Sequence, residues 1–415
     1  MVLCLCLQTG MSWAAGPSVT SIEITGLERT RDRVVLRTLP FAAGDAWQDG
    51  FAATGERWLR NTGLFSEVRI ERPDAEGLVR IRVKERWSLW VLPQVSRSDN
   101  GASSVGVALD EYNLWGLQHH LRLAYRRDTG RNFSADNGDS YAFGYDWIRV
   151  ADSKFNISMT ANWGRSVFDV YRNGQLESQY LQDSKSSSLM VNYTFGPVPG
   201  EGWGVSGGFS GSNSAFALQI GPPQPDVIGN HKRSLLAGAS YRQVDDQIIW
   251  FSGTAFDYSL SATSKLFGST LNIYRQTASL RSYVPVDGPN TLNLRLNLGH
   301  AFGDVLRDGL FDLGNRNGVR GYFPGEVQGK AYVLGSVEGR YLLHTASNVQ
   351  LVAFSDMAYV SGRESALSNR NFYAGAGGGI RWTLRWLVRG TIRGDVAYGF
   401  ATRRWRFYLG TGQAF

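Results

Sequence analysis

The sequence predicts a mainly β protein: a 16-stranded antiparallel transmembrane β-barrel preceded by one small β-α-α-β-β domain. Three observations carry that expectation. The chain has 49 Gly, 13 Trp, 18 Tyr and 21 Phe against only 12 Pro. That mixture suits strands that show lipid on alternate residues and end in aromatic girdles. Beyond residue 16 no apolar run approaches the roughly 18 residues of a spanning helix, and mean hydropathy is −0.23. From Trp87 onward, apolar and polar side chains alternate between polar or Gly-rich turns.

Residues 1–16 read as the remnant of a signal peptide. Val2 to Leu7 is short and apolar, and Ser12-Trp13-Ala14-Ala15 offers small residues at a spacing suited to cleavage. The usual basic stretch is missing, which allows a start further upstream. Cys4 and Cys6 are the two cysteines, so a cleaved chain carries no disulfide framework and no thiol chemistry. The net charge of +7 is scattered rather than clustered, as expected of lumen and loop charges and not of a nucleic-acid surface.

Residues 17–86 form the small domain. Val19, Ile22 and Ile24 mark a strand that stops at Gly26. Thr30 to Leu39 has helical spacing, with Val34, Val35 and Leu39 on one face and Thr30 at the N-cap position. Asp45 is expected to cap a second helix carrying Trp47, Phe51, Trp58 and Leu59 and ending at Asn61-Thr62-Gly63. Two strands follow, Phe65 to Arg72 and Leu78 to Glu85, around a Pro73-Asp74 turn. The strings Asn61-Thr62-Gly63-Leu64-Phe65-Ser66-Glu67-Val68 and Val79-Arg80-Ile81-Arg82-Val83-Lys84-Glu85 resemble a POTRA domain, the periplasmic module that precedes assembly and secretion barrels. Such a domain offers a strand edge to an extended polypeptide. The competing reading is a spacer or plug.

Residues 87–415 form the barrel. Leu292, Leu294, Leu296 and Leu298 interleave with Asn293, Arg295 and Asn297, so one face meets lipid and the other water. Short turns are expected at Asn113–Leu117, Val150–Ser153, Gly196–Gly202, Pro285–Asn290 and His344–Asn348. Longer loops are expected at Asp128–Asp139, Arg165–Lys185, Ser212–Lys232 and Phe302–Lys330. The alternation puts short turns in the periplasm and long loops outside. The last strand carries Trp405, Phe407 and Leu409 on one parity and ends in Phe415, which resembles the targeting signal of bacterial outer-membrane barrels.

In the 302–330 loop, Val319-Arg320-Gly321-Tyr322 resembles the hallmark of the POTRA-plus-barrel superfamily, which includes BamA- and TamA-type assembly factors and two-partner secretion transporters. Asn113-Leu114-Trp115-Gly116 is similar to the N-L-F-G turn of that family. The resemblance implies that the loop folds into the lumen and that Arg320 pairs with an acid on the wall. Strand parity nominates Asp356, in Phe354-Ser355-Asp356-Met357-Ala358, which resembles an F-x-D-x-G pattern with Ala358 in place of Gly. Glu338 is the second candidate. Gly375, Gly377 and Gly379 share one inward stripe, read as room for the loop, with general strand plasticity as the plainer alternative.

Nothing in the sequence suggests an enzyme. His119, His120, His231, His300 and His344 sit in no zinc or triad context, and no G-x-S-x-G occurs. No metal and no cofactor is expected. The expected work is assembly or translocation of polypeptide clients in the outer membrane. The expected partners are a client at the POTRA edge, outer-membrane lipid and lipopolysaccharide, and the barrel assembly machinery for the chain's own insertion. The alternative is a passive pore or structural scaffold.

Overall fold

The computed structural model describes residues 17–97, 103–129, 138–172, 175–198, 200–344, 348–362 and 371–411. The signal-peptide reading of residues 1–16, the terminal Phe415 and parts of four expected connections, 130–137, 173–174, 199 and 345–347, lie outside them.

The small domain runs β1 (Ser21–Thr25), α1 (Asp32–Leu36), α2 (Phe51–Asn61), β2 (Phe65–Ile70) and β3 (Leu78–Glu85). Its sheet order is β1-β3-β2, with β1 parallel to β3 and β2 antiparallel. Alternation along β3 buries Val79, Ile81 and Val83 against Val34, Val35, Leu59 and Leu64. Phe41, Trp47 and Phe51 make mutual ring contacts at 5.1–5.8 Å. The helices start later than the sequence suggests. Thr30 caps nothing and instead accepts from Asn113 of the barrel at 2.9 Å. Gly50, at φ 96°, precedes α2, and Asp45 lies upstream, accepting from the Ala42 amide at 2.7 Å. The Glu85 carboxylate takes the N–H groups of Glu28, Arg29 and Thr30 at 2.9–3.1 Å, which shapes the approach to α1. Asp74 accepts from the Glu76 and Leu78 amides, and the Leu78 bond above all holds its carboxyl below the usual range.

The barrel wall is one 16-stranded sheet. It runs β4 (Leu89–Arg97), β5 (Ser103–Leu114), β6 (His119–Thr129), β7 (Asp139–Trp147), β8 (Phe155–Arg172), β9 (Gln175–Thr194), β10 (Gly202–Ile220), β11 (Asn230–Asp246), β12 (Phe251–Thr263), β13 (Ile273–Asp287) and β14 (Asn290–Gly303). The 304–330 segment follows, holding the two-residue strands β15 (Phe311–Asp312) and β16 (Gln328–Gly329). The wall then resumes with β17 (Ala331–His344), β18 (Val349–Ser361), β19 (Phe372–Thr383), β20 (Thr391–Gly399) and β21 (Arg404–Thr411). All wall neighbours pair antiparallel, and among the described residues no ladder joins β21 back to β4. That gap is the seam.

Alternation places side chains as expected: Leu294 is 37% exposed on the lipid face, and its neighbouring inward Asn293 only 2%. Aromatic residues mark the periplasmic rim (Trp115, Trp203, Trp382) and the outer rim (Trp163, Phe302, Phe372). Two of the expected long loops are largely strand instead. β8 to β11 are 18, 20, 19 and 17 residues long, whereas β20 and β21 have 9 and 8. A span needs about 9–11 residues, so the outer ends of β8–β11 stand clear of the bilayer. They are polar because water surrounds them, and that polarity is what reads as loop. On their inner side Val170, Tyr180 and Val227 pack with Phe168 and Phe216. The short turns at 113–118 and 150–153, and the described parts of 196–201 on either side of residue 199, occur where expected, and two more, 247–250 and 384–390, join them.

Candidate functional site: the infolded loop and the seam

The loop between β14 and β17 turns into the lumen and packs on the wall. Leu313, Val319, Tyr322 and Val327 bury against Leu334, Ala358, Val360 and Tyr373. Ala358 is thus accommodated inside this cluster. Tyr322 is fully buried, donating to the Ala374 carbonyl at 2.9 Å and accepting from the Ala401 amide at 3.0 Å.

Arg320 is 1% exposed and meets both acids that parity nominates. Its Nε and Nη2 donate to the Asp356 carboxylate at 2.7 and 3.0 Å, and its backbone N–H donates to the same group at 3.1 Å. Nη1 donates to Glu338 at 2.8 Å. The Phe354 ring lies under the guanidinium, 3.4 Å from Cζ to the ring centroid. A bidentate fork with a second acid and an aromatic floor satisfies a buried cation in a way lysine could not reproduce.

The network continues beyond the pair nominated for Arg320. Arg381 donates to Asp395 at 2.5 Å and to Glu338 at 3.1 Å, and Arg340 donates to Glu338 at 2.8 Å. Arg393 lies 3.4 Å from Asp395 and donates to the Arg316 carbonyl of the loop at 2.7 Å. Four arginines therefore share three carboxylates, every member at most 4% exposed. The signal for Asp395 and Arg393 was available, since both hold the inward parity of β20. Tyr408 was missed as well. It sits on β21, accepts from the Gly321 amide at 2.9 Å and donates to the Tyr322 carbonyl at 3.0 Å, so the loop is bonded directly to the last strand.

The three stripe glycines serve different neighbours. A Cβ on Gly375 would lie 1.9 Å from the Arg320 carbonyl oxygen, so the loop backbone does pass over it. A Cβ on Gly377 would meet the Val396 carbonyl and the Phe354 ring, and one on Gly379 would meet Asp395. Gly321, at φ 102°, and Gly399 make a further backbone-to-backbone contact that a side chain on either would block.

At the periplasmic end the small domain docks across the turns. Arg31 and Arg37 bond the 115–117 carbonyls at 3.0 Å, Arg57 pairs with Glu201 at 2.8 Å, and Asn61 makes reciprocal bonds with Val244 and Asp246 at 3.1 and 2.9 Å. The segment leading into β4 is clasped to the β19–β20 turn. Trp87 and Trp386 bond at 2.7 Å, Val388 and Trp87 at 2.9 Å, and the Trp90 indole donates to the Val388 carbonyl at 2.7 Å. Arg86 adds a bond to the Arg385 carbonyl at 2.9 Å, and Val388 is itself buried in the small domain's core. A lumenal cavity of about 2270 Å³ lies between Trp58 and Asn61 below, Arg316 and Phe323 above, and Leu92 and Tyr408 at the seam. Trp405 and Phe407 lie on the lipid side of β21 at 66% and 69% exposure.

A membrane barrel with a POTRA-like domain across its periplasmic mouth and an Arg-bearing loop folded into its lumen defines the class. Residues 117–415 match the Omp85 superfamily domain, and residues 17–86 match the POTRA family described as a surface antigen variable number repeat. The chain belongs to the Omp85 superfamily: an outer-membrane barrel with its POTRA domain in the periplasm. It is 24% identical over 394 residues to the outer membrane protein assembly factor BamA of Neorickettsia risticii (strain Illinois), covering 88% of this chain and 50% of that protein. The chain thus spans about half the length of this curated relative. Among solved structures, CdiB from Escherichia coli aligns at TM-score 0.64 with 13% identity, over 96% of this chain and 74% of CdiB. BamA from Haemophilus ducreyi lacking POTRA domains 1–3 aligns at 0.55 with 14% identity, over 95% and 83%. These likenesses show the shared fold.

Proposed function

We propose that this chain assembles or translocates polypeptide clients at the outer membrane, with the seam between β4 and β21 as the working edge. The observation that carries the reading is the seam, unpaired among the described residues and bordered on one side by a strand bonded to the infolded loop. Unpaired backbone on β4 and β21 is a template for an incoming strand. The outer side of β2, which pairs with no strand among the described residues, is the edge offered to an extended client in the periplasm. Arg320, held by Asp356 and Glu338, keeps the loop seated and with it Tyr408 and β21. Val319, Gly321 and Tyr322 seat the loop, Phe354 supports the guanidinium, and Gly375 admits the backbone.

The test joins the two strands by a bismaleimide between Val91→Cys and Phe407→Cys in otherwise cysteine-free mature protein. Joining is expected to deplete the outer-membrane proteome as gene deletion does, with recovery when a cleavable linker is cut. An unchanged proteome on deletion would overturn the translocation reading. Depletion on deletion with full activity of the joined protein would overturn the seam alone.

A further inference from the structure

Apart from Asp245 at the periplasmic end of β11, the described charged side chains on the outward faces of β8 to β11 sit toward the outer ends, beyond the apolar band. Below them the faces carry Met159, Leu189, Phe209 and Leu235, each exposed. Trp163 pairs across strands with Lys185, Lys185 with Asn213, and Asn213 with His231. Arg233 lies one step nearer the apolar band, opposite Gly211. Because Gly211 has no side chain, the arginine folds across it: a Cβ there would lie 3.5 Å from both Cδ and Nη1 of Arg233. Nη1 donates to the Asn213 side chain at 3.2 Å and to the carbonyls of Ser212 and Lys232 at 3.4 and 2.9 Å. Its guanidinium thus leans from β11 over β10 toward the direct neighbour of Lys185.

The nearby outward arginines are neutralised. Arg127 is paired with Asp139 through two bonds, 2.7 and 2.8 Å, and Arg165 with Asp183 at 3.3 Å. Lys185 and Arg233 have no carboxylate partner among the described residues. Two cations without a carboxylate partner, Arg233 bonded to Asn213 and Lys185 opposite that residue in register, favour an anion between or beside them at the outer edge of the apolar band.

We propose that Lys185, Arg233 and Asn213 form a binding site for the phosphates of the outer-leaflet glycolipid, a glucosamine disaccharide with a phosphate at each end. The two cations stand on strands two apart, about 10 Å across the sheet, a span that a phosphorylated disaccharide covers. Trp163 and Phe209 flank the site for its sugar and acyl chains.

The test uses the full chain in phosphatidylcholine nanodiscs, probed by native mass spectrometry with the bisphosphorylated glycolipid and its dephosphorylated form. Wild type is expected to retain the bisphosphorylated lipid about tenfold or more better than Lys185→Gln/Arg233→Gln. Arg127→Gln should match wild type, and Lys185→Arg/Arg233→Lys, which keeps the charge, should retain binding. Folding of each variant is checked by heat-modifiable gel mobility. Equal retention by the folded Gln variant or by the dephosphorylated lipid overturns the site. Displacement by equimolar phosphatidylglycerol, or by millimolar inorganic phosphate, overturns the glycolipid as its occupant.

Discussion

Arg320 is where one side chain decides most. Truncation to Ala would leave Asp356 and Glu338, both fully buried, facing each other's charge without the shared cation. Removing one partner of a buried pair costs about 3–5 kcal/mol, so Arg320→Ala is expected to release the loop and lower the midpoint of heat modification. Arg320→Lys should recover only part, because an ammonium cannot fork onto Asp356. A variant indistinguishable from wild type in heat modification and in protease protection of the 304–330 loop would exclude the lock. The acid partner illustrates what residue-level reading achieves. Parity on the strand brought forward both Asp356 and Glu338 without ranking by distance, and the structure brings both to the same guanidinium. Which arginines converge depends on register across β17 to β20, which no single strand's pattern contains.

Among elements, the informative one is the connection into β4. Its alternation alone says only that a strand begins near Trp87. In the structure Arg86, Trp87 and Trp90 hold the β19–β20 turn across the periplasmic end of the seam. Trp90→Phe deletes the indole donor and keeps the ring, leaving the Val388 carbonyl short of a buried partner at about 1–3 kcal/mol. Combined with Arg86→Gln, it is expected to widen the distance between spin labels at Val91→Cys and Phe407→Cys. An unaltered distribution would mean that other contacts hold the seam. Long strands misread as loops belong to this scale too. The outer ends of β8–β11 lack apolar alternation because neither face meets lipid, so the pattern that reveals a membrane strand fades where the strand leaves the membrane.

Taken as a whole molecule, the POTRA domain lies over the mouth of its own barrel. Contacts from Arg31, Arg37, Arg57 and Asn61 reach turns on several sides of that mouth. Planar-bilayer recordings should therefore show a resting state of low conductance. Arg57→Glu/Asn61→Ala, which sets like charge against Glu201 and removes the reciprocal amide bonds, should raise the open fraction severalfold. Steady wide openings in wild type, unaffected by that variant or by Arg320→Ala, would favour a passive pore. The plug and the client platform, weighed as alternatives for the domain, are compatible in this arrangement: docking uses the helices and the loop before α1, while β2 lies at the sheet's other edge.

The sequence by itself determined the barrel, the strand number, the sidedness of its turns, the small domain's element order and the loop that carries Arg320. These follow from local periodicity and from turn chemistry, both of which act over a few residues. Only the tertiary structure decided that four arginines share three acids, that Tyr408 ties the loop to the last strand, that the small domain covers the mouth, and that the seam is clasped at one end. Each of those joins residues tens to hundreds of positions apart, through registers and docking contacts that depend on the closed shape of the wall and leave no period in the chain.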